Sequence, residues 1–176
     1  MQHSLWRRIA VLAVPVALQS LLQALLGMAD VVMVTNLGAE AVAAVGLAAK
    51  LHFLLLVMAM GIAASSSILV AQHFGAGNLM QCQRTLVIAF FWGSLITLPS
   101  VAIFLFGAYW LGWINPDQEV VRLATAYLLI TAPALLLTQY IAIYEAALRA
   151  TGNALMPLMV GAGAVLANVF FNYVLI

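Results

Sequence analysis

The chain reads as an all-α integral membrane protein, and three observations predict it. Of its 176 residues 66% are hydrophobic and 6% charged, where soluble domains carry about 25% charged residues. The mean hydropathy is +1.15. Stretches of roughly 21 to 33 residues without a charged side chain lie between Arg8 and Asp30, Lys50 and Arg84, Arg84 and Asp117, and Arg122 and Glu145, and from Arg149 to the end. Each is longer than the roughly 20 residues a helix needs to cross hydrocarbon.

Five helices follow in order. The first covers about residues 5–36 and closes at Leu37-Gly38, where glycine can take the left-handed backbone of a helix end. The second covers about 40–74 and ends at Gly75-Ala76-Gly77-Asn78. The third covers about 81–114, after which Asn115-Pro116-Asp117 turns the chain. The fourth, about 118–151, contains Pro133 and is expected to kink there, because proline removes one backbone hydrogen bond. The fifth covers about 154–176. Its apolar run carries no cap, charge or turn at Ile176, which predicts a truncated protein. The start resembles a signal peptide, with Arg7 and Arg8 before an apolar run, but the run is too long and predicts an uncleaved first span.

Arginine placement sets the orientation. Arg7, Arg8, Arg84 and Arg149 occupy the N-terminus and the second and fourth loops, so the N-terminus is predicted to be cytoplasmic. Trp6, Trp110 and Trp113 fall near helix ends, at the depth such rings favour, while Trp92 does not.

Composition excludes several functions. The net charge of +1 with no basic patch gives nucleic acid nothing to bind, leaving lipid and small molecules as partners. Cys82 is a lone, structural thiol, and His52 and His73 are too isolated for a metal site. Gly75 and Gly77 follow no strand, so no nucleotide loop is read there; Ser65, Ser66 and Ser67 lack a partnered base. No enzyme and no cofactor is indicated. Glu145 and Arg149, four apart, read as a local ion pair at the cytoplasmic end.

Polar residues inside the spans carry the functional signal. Asp30 sits in an apolar segment from residue 9 to 34, where insertion of a carboxylate costs roughly 2.5 to 3.5 kcal/mol. Gln19, Gln23 and Asp30 are four and seven residues apart, within about 40° of one helical face. Asn168 and Asn172 are four apart in the fifth helix, and Tyr127, Thr131 and Thr138 share a face of the fourth. Such stripes line a pathway or simply hydrogen-bond between helices. Counted from the cytoplasmic arginines at 1.5 Å per residue, Asp30 lies about 33 Å along its helix, and Asn168 and Asn172 about 28 and 34 Å along theirs. The three share one level in the outer part of the membrane, where an aspartate can also just face water.

Several segments resemble the multidrug and toxic compound extrusion (MATE) transporters: Ala13-Val14-Pro15, Met28-Ala29-Asp30-Val31-Val32-Met33-Val34 and Leu37-Gly38 in the first helix; Ala71-Gln72-His73-Phe74-Gly75-Ala76-Gly77 after the second; Ala147-Leu148-Arg149-Ala150-Thr151-Gly152 with Pro157 before the fifth; and Asn168 and Asn172 within it. The resemblance spans the whole chain. It implies helices one to five of a six-helix N-terminal lobe, with the sixth helix and the C-terminal lobe missing from a twelve-helix protein. It also implies a multi-pass protein of the cell (inner) membrane that exports cationic or amphipathic drugs or toxic metabolites in exchange for H+ or Na+. Coupling would fall to Asp30, where Na+ can also bind, with Asn168 and Asn172 beside it. A substrate cavity would take in Gln19, Gln23, Tyr127 and Thr131, with Met28, Met33, Phe53, Met58 and Met60 as adaptable contacts. Many proton-coupled relatives carry aspartate where this chain has Asn172, so the coupling ion stays open. Two rival readings are a lipid-linked sugar flippase, for which Lys50 and Arg122 offer little phosphate-binding charge, and a non-transporting membrane remnant or subunit.

Overall fold

The computed structural model describes the backbone of residues 2–35 and 38–175; within it, the side chains of residues 2–5, 7, 8, 30 and 171–175 lie outside the described residues. Asn36 and Leu37, at the predicted first turn, also lie outside them. Seven helices are described: α1 (Gln2–Thr35), α2 (Ala39–Gly75), α3 (Leu79–Leu105), α4 (Gly107–Ile114), α5 (Gln118–Thr131), α6 (Ala134–Ala150) and α7 (Leu155–Leu175), with no strand among the described residues. The apolar parts of α1, α2 and α3 are 27, 37 and 27 residues long, enough to cross a bilayer, and α5 with α6, bent by 51°, together have the length and composition of a fourth span. The 21 residues of α7 are almost wholly apolar.

Loop chemistry places the turns. Asn78 accepts the Gln81 amide at 3.1 Å to cap α3, and Asp117 accepts the Glu119 and Val120 amides at 2.9 and 3.2 Å to cap α5. Gly77, at φ 74°, and Gly152, at φ 90°, close the turns after α2 and α6 in the region glycine enters without a Cβ penalty.

Two breaks distinguish the structure from five plain rods. The stretch 81–114, predicted as one helix, divides at Phe106. There the Phe106 amide is shared between the carbonyls of Ala102 at 3.3 Å and Ile103 at 3.2 Å, which tightens the last turn. The Trp110 indole donates to the Ile103 oxygen at 2.9 Å, supplying the bond that a continuing helix would have made. The second break falls at Pro133, where a kink is expected. The Ala132 amide still reaches Leu128 at 2.8 Å, but Pro133 has no proton for Leu129, and Leu135 bonds Ala132 with three-residue spacing at 3.1 Å. Pro15 and Pro99, by contrast, lie inside unbroken helices.

The hub is α2, which packs on α6, α3 and α5, while α1 packs chiefly on α7. Its buried face is made of small residues, Ala44, Ala48, Ala59, Ala63 and Ser66, ending at Val70. Lipid supplies no hydrophobic drive for one helix to leave it for another, so close backbone approach across small residues does the holding. One cluster joins Ala44 and Ala48 to Phe104, Leu111, Ala124 and Leu128; a second joins Ala63 to Ala89, Ile143 and Ala146.

The tightest approach is α3 to α6 at Gly93. A Cβ there would lie 2.2 Å from Nε2 of Gln139, a side chain 2% exposed that accepts a hydrogen bond from Thr97. Gly93→Ala is therefore expected to displace Gln139 and destabilise the bundle by about 1–3 kcal/mol. Gly61→Ala, with nothing within 4 Å of the new methyl, should leave stability unchanged or slightly raised. Thermal unfolding midpoints of the two variants in detergent check this.

Candidate functional site

Gln19 is one turn beyond the buried Pro15 on α1 and is itself only 5% exposed. Its amide both gives and takes: Nε2 donates to Glu145 Oε1 at 2.9 Å, and Oε1 accepts from Arg149 Nη1 at 3.4 Å. The ring closes along α6, where Arg149 Nη1 reaches Glu145 Oε2 at 3.3 Å. A partly dehydrated carboxylate is costly unless paired and hydrogen-bonded, and each Glu145 oxygen has a partner here. From the third side, the Gly161 backbone of α7 comes close enough that a Cβ would sit 3.6 Å from the Gln19 side chain.

Beside this cluster lies a cavity of about 500 Å³ between α1, α2 and α6, of the size that holds a drug-like molecule. Its polar wall includes Ser20, Gln23, Ser67 and Thr138, with Glu145 and Arg149 at one end; Val16, Leu56, Met60 and Ile141 supply apolar surface. Ser65 and Ser66 turn their hydroxyls back on helix carbonyls, which leaves Ser67 as the serine of that run that lines the cavity.

The sequence-predicted cavity residues divide into two places. Gln19 and Gln23 line this cavity; Tyr127 and Thr131 do not. They lie on α5, where the Thr131 hydroxyl donates to the Tyr127 carbonyl at 2.8 Å and sits 3.2 Å from His52 Nε2. The His52 ring lies 6.0 Å from the rings of both Tyr127 and Phe104. The cause is the bend at Pro133: α5 and α6 meet different parts of α2, so residues before and after the bend face different surroundings. Thr138, which the sequence groups with them, falls after the bend and joins the cavity. Met60 also lines it, whereas Met28, Phe53 and Met58 are exposed on the outside of the bundle.

The side chains of Asp30 and Asn172 lie outside the described residues, and Asn168 is half-buried on α7. Their helices are neighbours, since α1 packs on α7. Read as the first and fifth of five alternating spans, α1 and α7 run parallel. The approach of Gln19 to Gly161 then sets their register. Asp30 follows Gln19, and Asn172 follows Gly161, by the same eleven residues, about 16 Å of helix.

Sequence reasoning missed the link from Gln19 to the Glu145–Arg149 pair. The available signal was an acid inside a run otherwise free of charge, but a partner 126 residues away leaves no trace in spacing.

Apolar helices long enough to cross a membrane, one pair of them bent, around a cavity with a polar wall define a multi-pass membrane protein. The MatE family model matches residues 15–174, and the chain belongs to the MATE family of multidrug transporters. It is 36% identical over 117 residues to a probable multidrug resistance protein NorM of Bradyrhizobium diazoefficiens, covering 66% of this chain and 25% of that protein. It is 25% identical over 173 residues to a probable NorM of Thermotoga maritima, covering 94% and 36%. An FAD transporter of Shewanella oneidensis is 26% identical over 126 residues, covering 71% and 28%. An outward-facing multidrug resistance MATE transporter of the MOP superfamily shares the fold, with a TM-score of 0.83 at 21% identity, covering 96% of this chain and 38% of that one. The chain thus spans about a quarter to a third of the length of the curated relatives it matches.

Replacing Gln19 by Leu removes a donor and an acceptor at once and leaves Glu145 with one partner. The expected loss is about 1–3 kcal/mol in detergent unfolding, against less than about 0.5 kcal/mol for Leu18→Ala on the exposed face of the same turn.

Proposed function

We propose that the chain forms the N-terminal lobe of a secondary antiporter of the cell (inner) membrane. It exports cationic or amphipathic drugs or toxic metabolites in exchange for H+ or Na+. The observation that carries this reading is the 500 Å³ cavity with an apolar wall, a polar wall and a charged end, built between α1, α2 and α6. Asp30, with Asn168 and Asn172, is the candidate coupling group. Its support is the pairing of α1 with α7 and the equal eleven-residue advance from the Gln19–Gly161 approach. Entry of a proton or Na+ from outside neutralises the Asp30 carboxylate, and the ion drives the exchange by binding one conformation better than the other. The C-terminal lobe is the partner that completes the path.

Expressed with its C-terminal lobe in an efflux-deficient bacterium, the wild-type chain is expected to raise resistance to cationic drugs. Asp30→Asn should return resistance to the level of cells without the transporter. Full resistance in that variant would overturn the coupling role.

A further inference from the structure

The cavity's charged end holds one acid and one base, and they are not held equally. Glu145 is anchored on one side: its Oε1 takes the Gln19 amide at 2.9 Å, and its side chain is 18% exposed. Arg149 is 31% exposed, next to the last residue of α6, and uses the single nitrogen Nη1 at 3.3 and 3.4 Å. A strong guanidinium–carboxylate pair is a two-pronged fork with contacts near 2.7–2.9 Å. The chain contains such a fork elsewhere, Arg122 on Glu119, engaged through both Nε and Nη2. The guanidinium of Arg149 is therefore the loose member of its cluster, and at the helix end its long stem can carry the charge out to the headgroup level. Glu145, a full turn deeper and fixed by Gln19, has no such exit.

We propose that Glu145 is the specificity-determining counter-ion of this cavity, and that Arg149 is a built-in competitor which a cationic substrate displaces. The proposal rests on the reading of the cavity as a drug site. An organic cation entering between α1, α2 and α6 takes the position of Nη1 on Glu145 Oε2 while its apolar body lies against Leu56, Met60 and Ile141. The displaced guanidinium moves to the cytoplasmic interface, the Gln19–Glu145 bond persists, and no charge is left buried without a partner. A neutral amphipath cannot replace Arg149 and gains only the apolar wall. An anion would have to lie beside the anchored carboxylate, which repels it.

The test uses the 176-residue chain in lipid nanodiscs, with tetraphenylphosphonium as the cationic probe and Nile red as the neutral one. Glu145→Gln is expected to weaken tetraphenylphosphonium binding about tenfold, and Arg149→Gln to tighten it several-fold, with Nile red affinity unchanged in both. Opposite signs are the diagnostic result, because a purely structural ion pair would make both variants bind worse. Unchanged cation affinity in Glu145→Gln, or weaker cation binding in Arg149→Gln, overturns the proposal. If Glu145→Gln fails to fold, the sign of the Arg149→Gln effect decides alone. Wild-type protein that binds Nile red but not the cation sinks the counter-ion role and leaves the drug cavity standing; failure to bind either sinks both.

Discussion

Hydrocarbon offers no hydrogen bonds, so a polar side chain buried within a span must be satisfied by another part of the protein. In this lobe Gln19 is one of the buried polar side chains, and it meets that constraint through Glu145 and Arg149. Its helix, α1, packs chiefly on α7 and less on α2, so α1 is the outer member of the bundle on that side. What joins it to α6 is the side-chain bridge from Gln19 to Glu145 and Arg149, reaching across space that backbone contact does not fill. The bridge and the cavity are therefore two aspects of one arrangement. Were α1 packed directly on α6, Gln19 would have nothing to span and no volume would remain beside it.

The other side of that volume is set by α2. Small residues along its buried face let α3, α5 and α6 approach closely, and the close approach places α6 so that Glu145 faces α1. The bend at Pro133 matters equally. A straight helix from 118 to 150 would carry Thr131 and Thr138 along one surface, since seven residues are nearly two full turns. With 51° between its halves, the first stays with the His52 and Phe104 cluster and the second turns toward the cavity. One missing backbone proton thus divides a single polar stripe between two environments.

That division also marks how far the sequence could be read. The membrane class, the long helices and the kink at Pro133 follow from composition, run length and a residue with no N–H, all of them local quantities. The break at Phe106 does not, because nothing at that position forbids a helix; it is sustained by the Trp110 indole returning to Ile103. Likewise the stripe of Gln19 and Gln23 is visible as spacing, and both residues do line the cavity. Their partner was not visible: Glu145 and Arg149 satisfy a local rule at four-residue spacing so fully that nothing in the sequence asks for a third member. Tyr127 and Thr131 lie before the bend and Thr138 after it, so the helical periodicity that groups the three does not carry across Pro133.

The same bridge bears on how two ends of the membrane are connected. Gln19 and Gly161 bring α1 and α7 together, and Asp30 and Asn172 each follow eleven residues later along their helices. Helices packed along their length move together, because sliding one past the other would break every contact in the seam. In the proposed antiporter, a substrate that loosens Arg149 would change what holds Gln19 to α6, while an ion at Asp30 would change what α1 and α7 share. Each event would then act on the placement of the α1–α7 pair against the α2–α6 hub. Coupling between the two sites then requires no chain of intermediates, only that this pair has two positions and that substrate and ion each favour one of them.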